Sequence, residues 1–250
     1  MNKQAFYAAL RASPQVFGTS ISENQVRGID ALLAACARNG ITDGHHVANI
    51  LAQCYHETAG AMQPIKETVM RNHKDKNPSD ATVIARLDRA FSRGQLPWVK
   101  SPYWRDGWFG RGFIQLTHRA NYDKLGRAVG VNLIGNPSRA LDINTSADIA
   151  VVGMRDGMFT GRKLADYRFP QALASPPGQN PRRIVNGSDG TDALVARQHR
   201  SFYAAIEAGG GWSAAKPVTS ATKQPSGGNL GIAGAIAALI AAVAVWMGVS

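Results

Sequence analysis

The segment Val47-Ala48-Asn49-Ile50-Leu51-Ala52-Gln53-Cys54-Tyr55-His56-Glu57-Thr58-Ala59-Gly60 repeats its apolar residues at helical spacing, not strand spacing. Val47, Ile50, Leu51, Cys54 and Tyr55 fall at i, i+3, i+4, i+7 and i+8, the stripe of a helix turned toward a core. Asp43 is a natural N-cap before it, and Gly60 a natural stop after it. On a wheel of 100° per residue, Glu57 lies about 20° from Ile50, at the border of the stripe. A carboxyl group half turned toward a core is partly desolvated, which raises its pKa and lets it hold a proton near neutral pH. The plainer reading is a solvated glutamate in a last helical turn, and the rest of the chain must decide between the two.

Working outward, Ser22 and Gln25 form a capping box that opens a helix through Val26, Ile29, Leu32 and Leu33, which Gly40 closes. Helical periodicity predicts further helices over 79–92, 121–129, 146–158 and 191–208, and loops over 94–108 and 170–181. Strict alternation is almost absent, so the body reads as mainly α. From 209 to 229 the chain is rich in Gly, Ser, Thr, Pro and Lys and reads as a linker. Residues 230–249 are an uncharged run of 20 that, as a helix rising about 1.5 Å per residue, covers roughly 30 Å, one hydrocarbon thickness. The expected organisation is a catalytic body over 1–211, a linker over 212–229 and a transmembrane helix over 230–249.

With 28 Lys and Arg against 17 Asp and Glu in 250 residues, the formal charge of +11 favours polyanionic partners. No nucleic-acid motif accompanies that charge, so nucleic acid is not the expected partner. Cys36 and Cys54 are the only cysteines; they exclude a disulfide scaffold and are expected as buried helical thiols. The N-terminus reaches Arg11 before an apolar run of secretion-signal length can form.

His56-Glu57 is not a zinc-protease motif, because Gly60 stands where the second histidine belongs. Glu67 adds a second carboxylate beyond a turn through Gly60 and Pro64. Two carboxylates on one cleft are the minimum for glycoside hydrolysis, one to protonate the leaving oxygen and one to activate water. The run Gly107-Trp108-Phe109-Gly110-Arg111-Gly112-Phe113-Ile114-Gln115-Leu116-Thr117-His118, then Asn121-Tyr122, combines permissive glycines with amides and hydroxyls that can position water and sugar. Trp98, Tyr103, Trp104 and Trp108 offer flat faces of the kind sugar rings pack on.

His-Glu-Thr at 56–58 followed by Gly-Arg-Gly-Phe-Ile-Gln-Leu-Thr at 110–117 resembles the two signature segments of family 19 chitinases and related phage lysozymes. The likeness continues through Asn136-Pro137, the run 153–161 and Arg183-Ile184-Val185-Asn186-Gly187. It implies a lysozyme-like α-helical domain with a substrate cleft. It also implies Glu57 as general acid, Glu67 as base, and Gln115, Thr117 and Asn121 lining the groove. The candidate site is therefore Glu57, Glu67 and Thr117 for catalysis, with His56, Trp108, Arg111, Gln115, Asn121, Tyr122, Asn186 and Arg197 on the substrate. Arg197 and Arg200 compete for the place of an arginine that contacts the site in relatives. Phe113 in place of a usual proline, and the absence of the plant disulfides, point to the bacterial and phage branch.

The expected activity is hydrolysis of peptidoglycan glycan strands by an inverting endolysin, with no metal and no cofactor. A chitinase and a lytic transglycosylase are the rival enzymes, and a membrane-anchored binding protein the rival from another class. The apolar tail implies storage at the inner membrane after synthesis in a host cytoplasm, with release to the wall through a holin-like pore protein.

Overall fold

The computed structural model describes residues 1–68, 75, 77–187 and 189–213. The expected membrane helix at 230–249, and the expected linker beyond 213, lie outside the described residues. Among the described residues no helix is long and apolar enough to cross a membrane.

Seven α-helices carry the described fold: α1 (Lys3–Arg11), α2 (Glu23–Arg38), α3 (Gly44–Glu57), α4 (Asp80–Ser92), α5 (Arg119–Ala128), α6 (Ile143–Arg155) and α7 (Asp192–Ala208). Their starts follow from local capping. Ser22 and Gln25 close the expected capping box on α2, and the Asp43 carboxylate accepts the His45 N–H at 2.7 Å to open α3. The fifth and sixth helices begin two and three residues earlier than periodicity suggested, because α5 starts at Arg119 and Asp142 caps α6 through the Thr145 N–H. Helix α1 was not anticipated; Asn2 caps it, and it buries Phe6, Tyr7 and Leu10 against the core.

Helix α3 is the axis of the molecule. It packs on α7 and α2, while α1 packs on α7 and α6 on α2. Every residue of α3 from Val47 to Tyr55 is buried, so its apolar stripe is wider than the sequence suggests. Cys36 and Cys54 are both free and buried, on α2 and α3.

The turn after α3 is pinned to α2. Gln25 Nε2 donates to the Gly60 carbonyl at 2.8 Å, and Thr58 Oγ1 accepts the Met62 N–H at 3.0 Å. Gly28 makes this approach possible, since a Cβ there would lie 1.6 Å from the Met62 carbonyl oxygen. Gly28→Ala must therefore displace backbone, and we expect it to lower stability by at least ~1–3 kcal/mol in thermal or denaturant unfolding. An unchanged unfolding midpoint would show that this turn yields freely.

Two short strands were not expected. Ile65–Lys66 (β1) pairs antiparallel with Arg111–Gly112 (β2), setting Ile65 opposite Gly112 and Lys66 opposite Arg111. A second, smaller apolar cluster sits beside this pair, built from Val83, Leu87, Leu96, Val99, Trp104 and Phe109 under α4 and the 94–109 loop. Trp104 is fully buried there and donates its indole N–H to Asp88, so it offers no face to a sugar. At the other end, Trp212 packs on the main core and donates to the Ile41 carbonyl at 2.7 Å. The first residue of the expected linker thus belongs to the body.

Candidate active site

Glu57 is the last residue of α3, and the helical phase that places it at the border of the apolar stripe brings its carboxyl inside, at 1% exposure. Arg182, fully buried in the short 3-10 turn Pro181–Ile184, reaches it with Nη1 at 2.6 Å from Oε1. That contact lacks the alignment of a good hydrogen bond, and neither Glu57 oxygen accepts one from any other described group. One turn earlier on α3, Gln53 accepts from Arg182 Nη1 at 2.8 Å and donates to the Pro181 carbonyl at 3.0 Å. The rest of the guanidinium belongs to Asp189, with Nε and Nη2 at 3.1 and 2.7 Å from Oδ2.

Two carboxylates thus share one guanidinium, and their environments drive them apart. Burial resists ionisation of Asp189, but the Arg182 charge and the hydrogen bonds from Arg182 and Thr191 hold it down at about 2. Burial pushes Glu57 up to about 7 against the pull of Arg182, and the negative charge of Asp189 adds to the rise. Asp189 takes the charge of the arginine, and Glu57 keeps a proton. Beside it, burial and then the Arg182 charge bring His56 down to about 4, so that imidazole is neutral at pH 7.

Glu67 follows β1 directly and is 5% exposed. Its Oε1 accepts from the Tyr103 hydroxyl at 2.7 Å and its Oε2 from the Gly110 N–H at 2.7 Å. Burial raises its pKa, opposed by these two donors and by the charge of Arg111. Gly110 is required by space, because a Cβ there would lie 2.8 Å from Gln115 Oε1 and 3.3 Å from Glu67 Oε2. The 110–118 segment doubles back on itself, with Arg111 and Leu116 exchanging backbone hydrogen bonds at 3.2 and 2.9 Å. Gln115 and His118 take left-handed backbone there, at φ 51° and 63°. Such strain persists where the surroundings over-determine it, and it gathers at functional sites. Gln115 Nε2 is spent on the Ile65 and Gly112 carbonyls at 3.1 Å each, which leaves its buried Oε1 without a donor.

The family model for chitinase class I, glycoside hydrolase family 19, matches residues 26–154, and that stretch includes Glu57, Glu67 and the whole 110–118 segment. The chain belongs to glycoside hydrolase family 19. It is 33% identical over 81 residues to an α-amylase inhibitor/endochitinase of Coix lacryma-jobi, an alignment that takes in 29% of this chain. The chain spans 61% of that curated relative, less than two thirds of its length. Chitinase C from Streptomyces griseus HUT6037 superposes with a TM-score of 0.50 at 20% identity, over 86% of this chain and 78% of that one. That likeness is one of fold.

Within the family 19 fold the expected site residues separate into groups. Glu57, His56 and Asn186 gather around Arg182 and Asp189, with Asn186 Nδ2 donating to Asp189 Oδ2 at 3.0 Å. Glu67 and Gln115 meet at Gly110. Thr117 is buried in the same turn, Trp108 is half-buried edge-on to Tyr122, and Asn121 is half-buried in the first turn of α5. Arg111 and Tyr122 are both buried. Arg111 is 2% exposed, lies 3.7 Å over the Phe109 ring and donates to Asp80, Gly107 and Tyr122. Tyr122 in turn donates to the Phe109 carbonyl at 2.8 Å. Arg111 is thereby fixed over Phe109 of the smaller cluster and Tyr122 in the main core, while Arg111 Nε has no hydrogen-bond partner among the described residues.

Arg197 and Arg200 are exposed on α7, and the arginine on Glu57 is Arg182. Sequence reasoning did not weigh Arg182, because nothing in the Arg182-Arg183 pair marks which side chain turns inward. The available signal was its setting, an Asn-Pro helical start immediately before the Arg183–Gly187 run already carrying the family likeness. Asp189 and Tyr103 were also missed as carboxylate partners. Among the described residues no group of acidic, histidine or cysteine side chains is arranged to hold a metal ion.

Proposed function

We propose that the protein hydrolyses the glycan strands of bacterial peptidoglycan as an inverting muramidase of the endolysin type. The observation that carries this reading is Glu57, a buried carboxyl pushed up to about 7 at the end of α3 in a family 19 fold. A carboxyl protonated at neutral pH can donate to the glycosidic oxygen as the C–O bond breaks. Glu67 takes a proton from a water attacking the opposite face, and Thr117 helps hold that water. The bond to the leaving sugar breaks, the bond to the water oxygen forms, and the proton lost by Glu57 is balanced by the one Glu67 gains. Glu67 then exchanges the Tyr103 hydroxyl for the attacking water at Oε1. Glu57 is enclosed, so its carboxyl must be uncovered by substrate before it can act.

The same numbers set the pH dependence. Glu57 has an ordinary value of 4.5 and a folded value of about 7, so the folded state binds the extra proton between those pH values. Its contribution to stability is present below that window and is lost as pH rises through about 7. We expect kcat/KM to fall on a basic limb near pH 7, measured by initial rates between pH 5 and 9. A limb displaced to the range of an ordinary carboxylate would remove Glu57 as the acid.

Peptidoglycan is favoured over neutral glycans by the formal charge of +11, which attracts an anionic envelope. Chitin polymers are the second reading, supported by the chitinases that the chain is similar to. Digestion of purified peptidoglycan and of chitin oligosaccharides in parallel, with mass analysis of the sugar ends, separates the alternatives. New reducing ends from peptidoglycan support the proposal, anhydro ends mean a transglycosylase, and cutting of chitin alone means a chitinase.

The proposal extends to delivery, with the apolar segment at 230–249 keeping folded enzyme at the inner membrane until a holin-like pore protein releases it to the wall. Ending the chain after Ser213, which keeps Trp212, should leave peptidoglycan hydrolysis unchanged and move the protein from the membrane pellet to the soluble fraction. Full-length protein already in the soluble fraction contradicts this part.

A further inference from the structure

Between α6 and α7 the chain runs through three short 3-10 turns, Leu164–Asp166, Gln171–Ala174 and Pro181–Ile184, and residues of this stretch line a half-open cavity of about 470 Å³. Its lining is mixed and includes Arg162, Arg168 and Arg183, Tyr167, Gln179 and one acidic residue, Asp166. None of the three arginines forms an ion pair among the described residues. Asp166 is already engaged, accepting the Lys163 N–H at 3.0 Å. Three unpaired arginines around one space give it a positive potential, and the planar fork of a guanidinium matches an oxyanion with two parallel hydrogen bonds. Arg162 and Arg183 are close enough for both charges to act on the Tyr167 hydroxyl, itself raised in pKa by burial.

The position of the cavity ties it to the active site. Arg182 and Arg183 are consecutive: the first turns inward to Glu57, 2.6 Å away, and the second lines the cavity. An anion held there is thus attached to the same short turn that carries the partner of the proposed acid.

We propose that this cavity is a carboxylate subsite that takes the peptide stems of peptidoglycan while the glycan strand lies across Glu57. This rests on the proposed function and names the part of the substrate that distinguishes peptidoglycan from chitin. Muramyl residues carry, through a lactyl ether, a peptide with free carboxylates, and polymers of N-acetylglucosamine carry none.

The test uses the full-length protein and the tripeptide L-Ala-γ-D-Glu-L-Lys as probe, followed by NMR of the arginine Nε–H signals. The fully amidated tripeptide and inorganic phosphate serve as comparisons. Arg162 and Arg168 are both exposed, so the double variant Arg162→Gln, Arg168→Gln should fold. We expect the free-acid tripeptide to bind, the amidated form and the double variant each to lose about tenfold in affinity, and phosphate to bind more weakly than the tripeptide. In turnover, the double variant should raise KM on intact peptidoglycan by about tenfold with kcat preserved, and leave KM unchanged on strands stripped of peptide by an amidase. Equal binding of acid and amide, undiminished binding by the double variant, or phosphate binding as tight as the tripeptide overturns the subsite. An enzyme that cuts chitin but not peptidoglycan would defeat the proposed function, while the tripeptide titration still decides the cavity.

Discussion

Replacing Glu57 with glutamine is expected to abolish glycan hydrolysis while leaving the fold intact. The amide keeps the shape of the side chain and loses the proton that the leaving oxygen needs, and general acid catalysis contributes about 10²- to 10⁴-fold. Because burial already keeps Glu57 neutral up to about pH 7, the substitution removes no charge the fold depends on at neutral pH. Thermal unfolding at pH 6 should therefore be nearly unchanged. Above pH 7 the variant should become the more stable of the two, since wild type alone must then ionise a buried carboxyl. The check is initial rate on purified peptidoglycan beside an unfolding curve at each pH. Residual activity above about a tenth of wild type would place the acid elsewhere.

Replacing Arg182 with methionine is expected to have the largest effect on stability. Methionine fills a comparable apolar volume but strips Gln53, Glu57 and Asp189 of their shared donor. Removing one partner of a buried ion pair leaves the other charge uncompensated, at a cost of about 3–5 kcal/mol. Most of that cost falls on Asp189, which Arg182 holds ionised; Asp189→Asn in the same chain should recover part of it. Glu57 would lose the one group that pulls its pKa down, so the basic limb of activity should move to higher pH. Arg182→Lys keeps the charge and loses the fork, and should fall between the two. A Tm loss with no movement of the limb would make Arg182 a purely structural residue.

What could be read from the sequence was mostly local. The caps at Ser22 and Asp43, and the periodic stripe from Val47 to Tyr55, involve residues within a few positions of each other, and those helices lie where periodicity put them. Glu57 was legible for the same reason, because helical phase alone carries it to the buried face. Strands of two residues each, 65–66 and 111–112, are too short to show alternation. Arg111 and Tyr122 entered the candidate site through the family likeness, which carries no information on their burial. Arg111 is buried over Phe109 of the smaller apolar cluster and Tyr122 within the main core, and both packings join parts of the chain distant in sequence. Arg182 was hidden by its place in a 3-10 turn, where no periodicity reports which of two neighbouring arginines faces inward. Exposed helical arginines at 197 and 200 were the more visible candidates, and the fold leaves both in solvent.

Acid catalysis by Glu57 requires that burial, beside an arginine already neutralised by Asp189, keep a proton on its carboxyl near neutral pH. The direct test is a carbon-13 NMR titration of the Glu57 side-chain carboxyl in the wild-type protein, assigned by loss of its signal in Glu57→Gln. The predicted result is a midpoint of about 7. A midpoint at the ordinary 4.5 would mean a carboxylate already ionised at neutral pH, and would contradict its role as the acid.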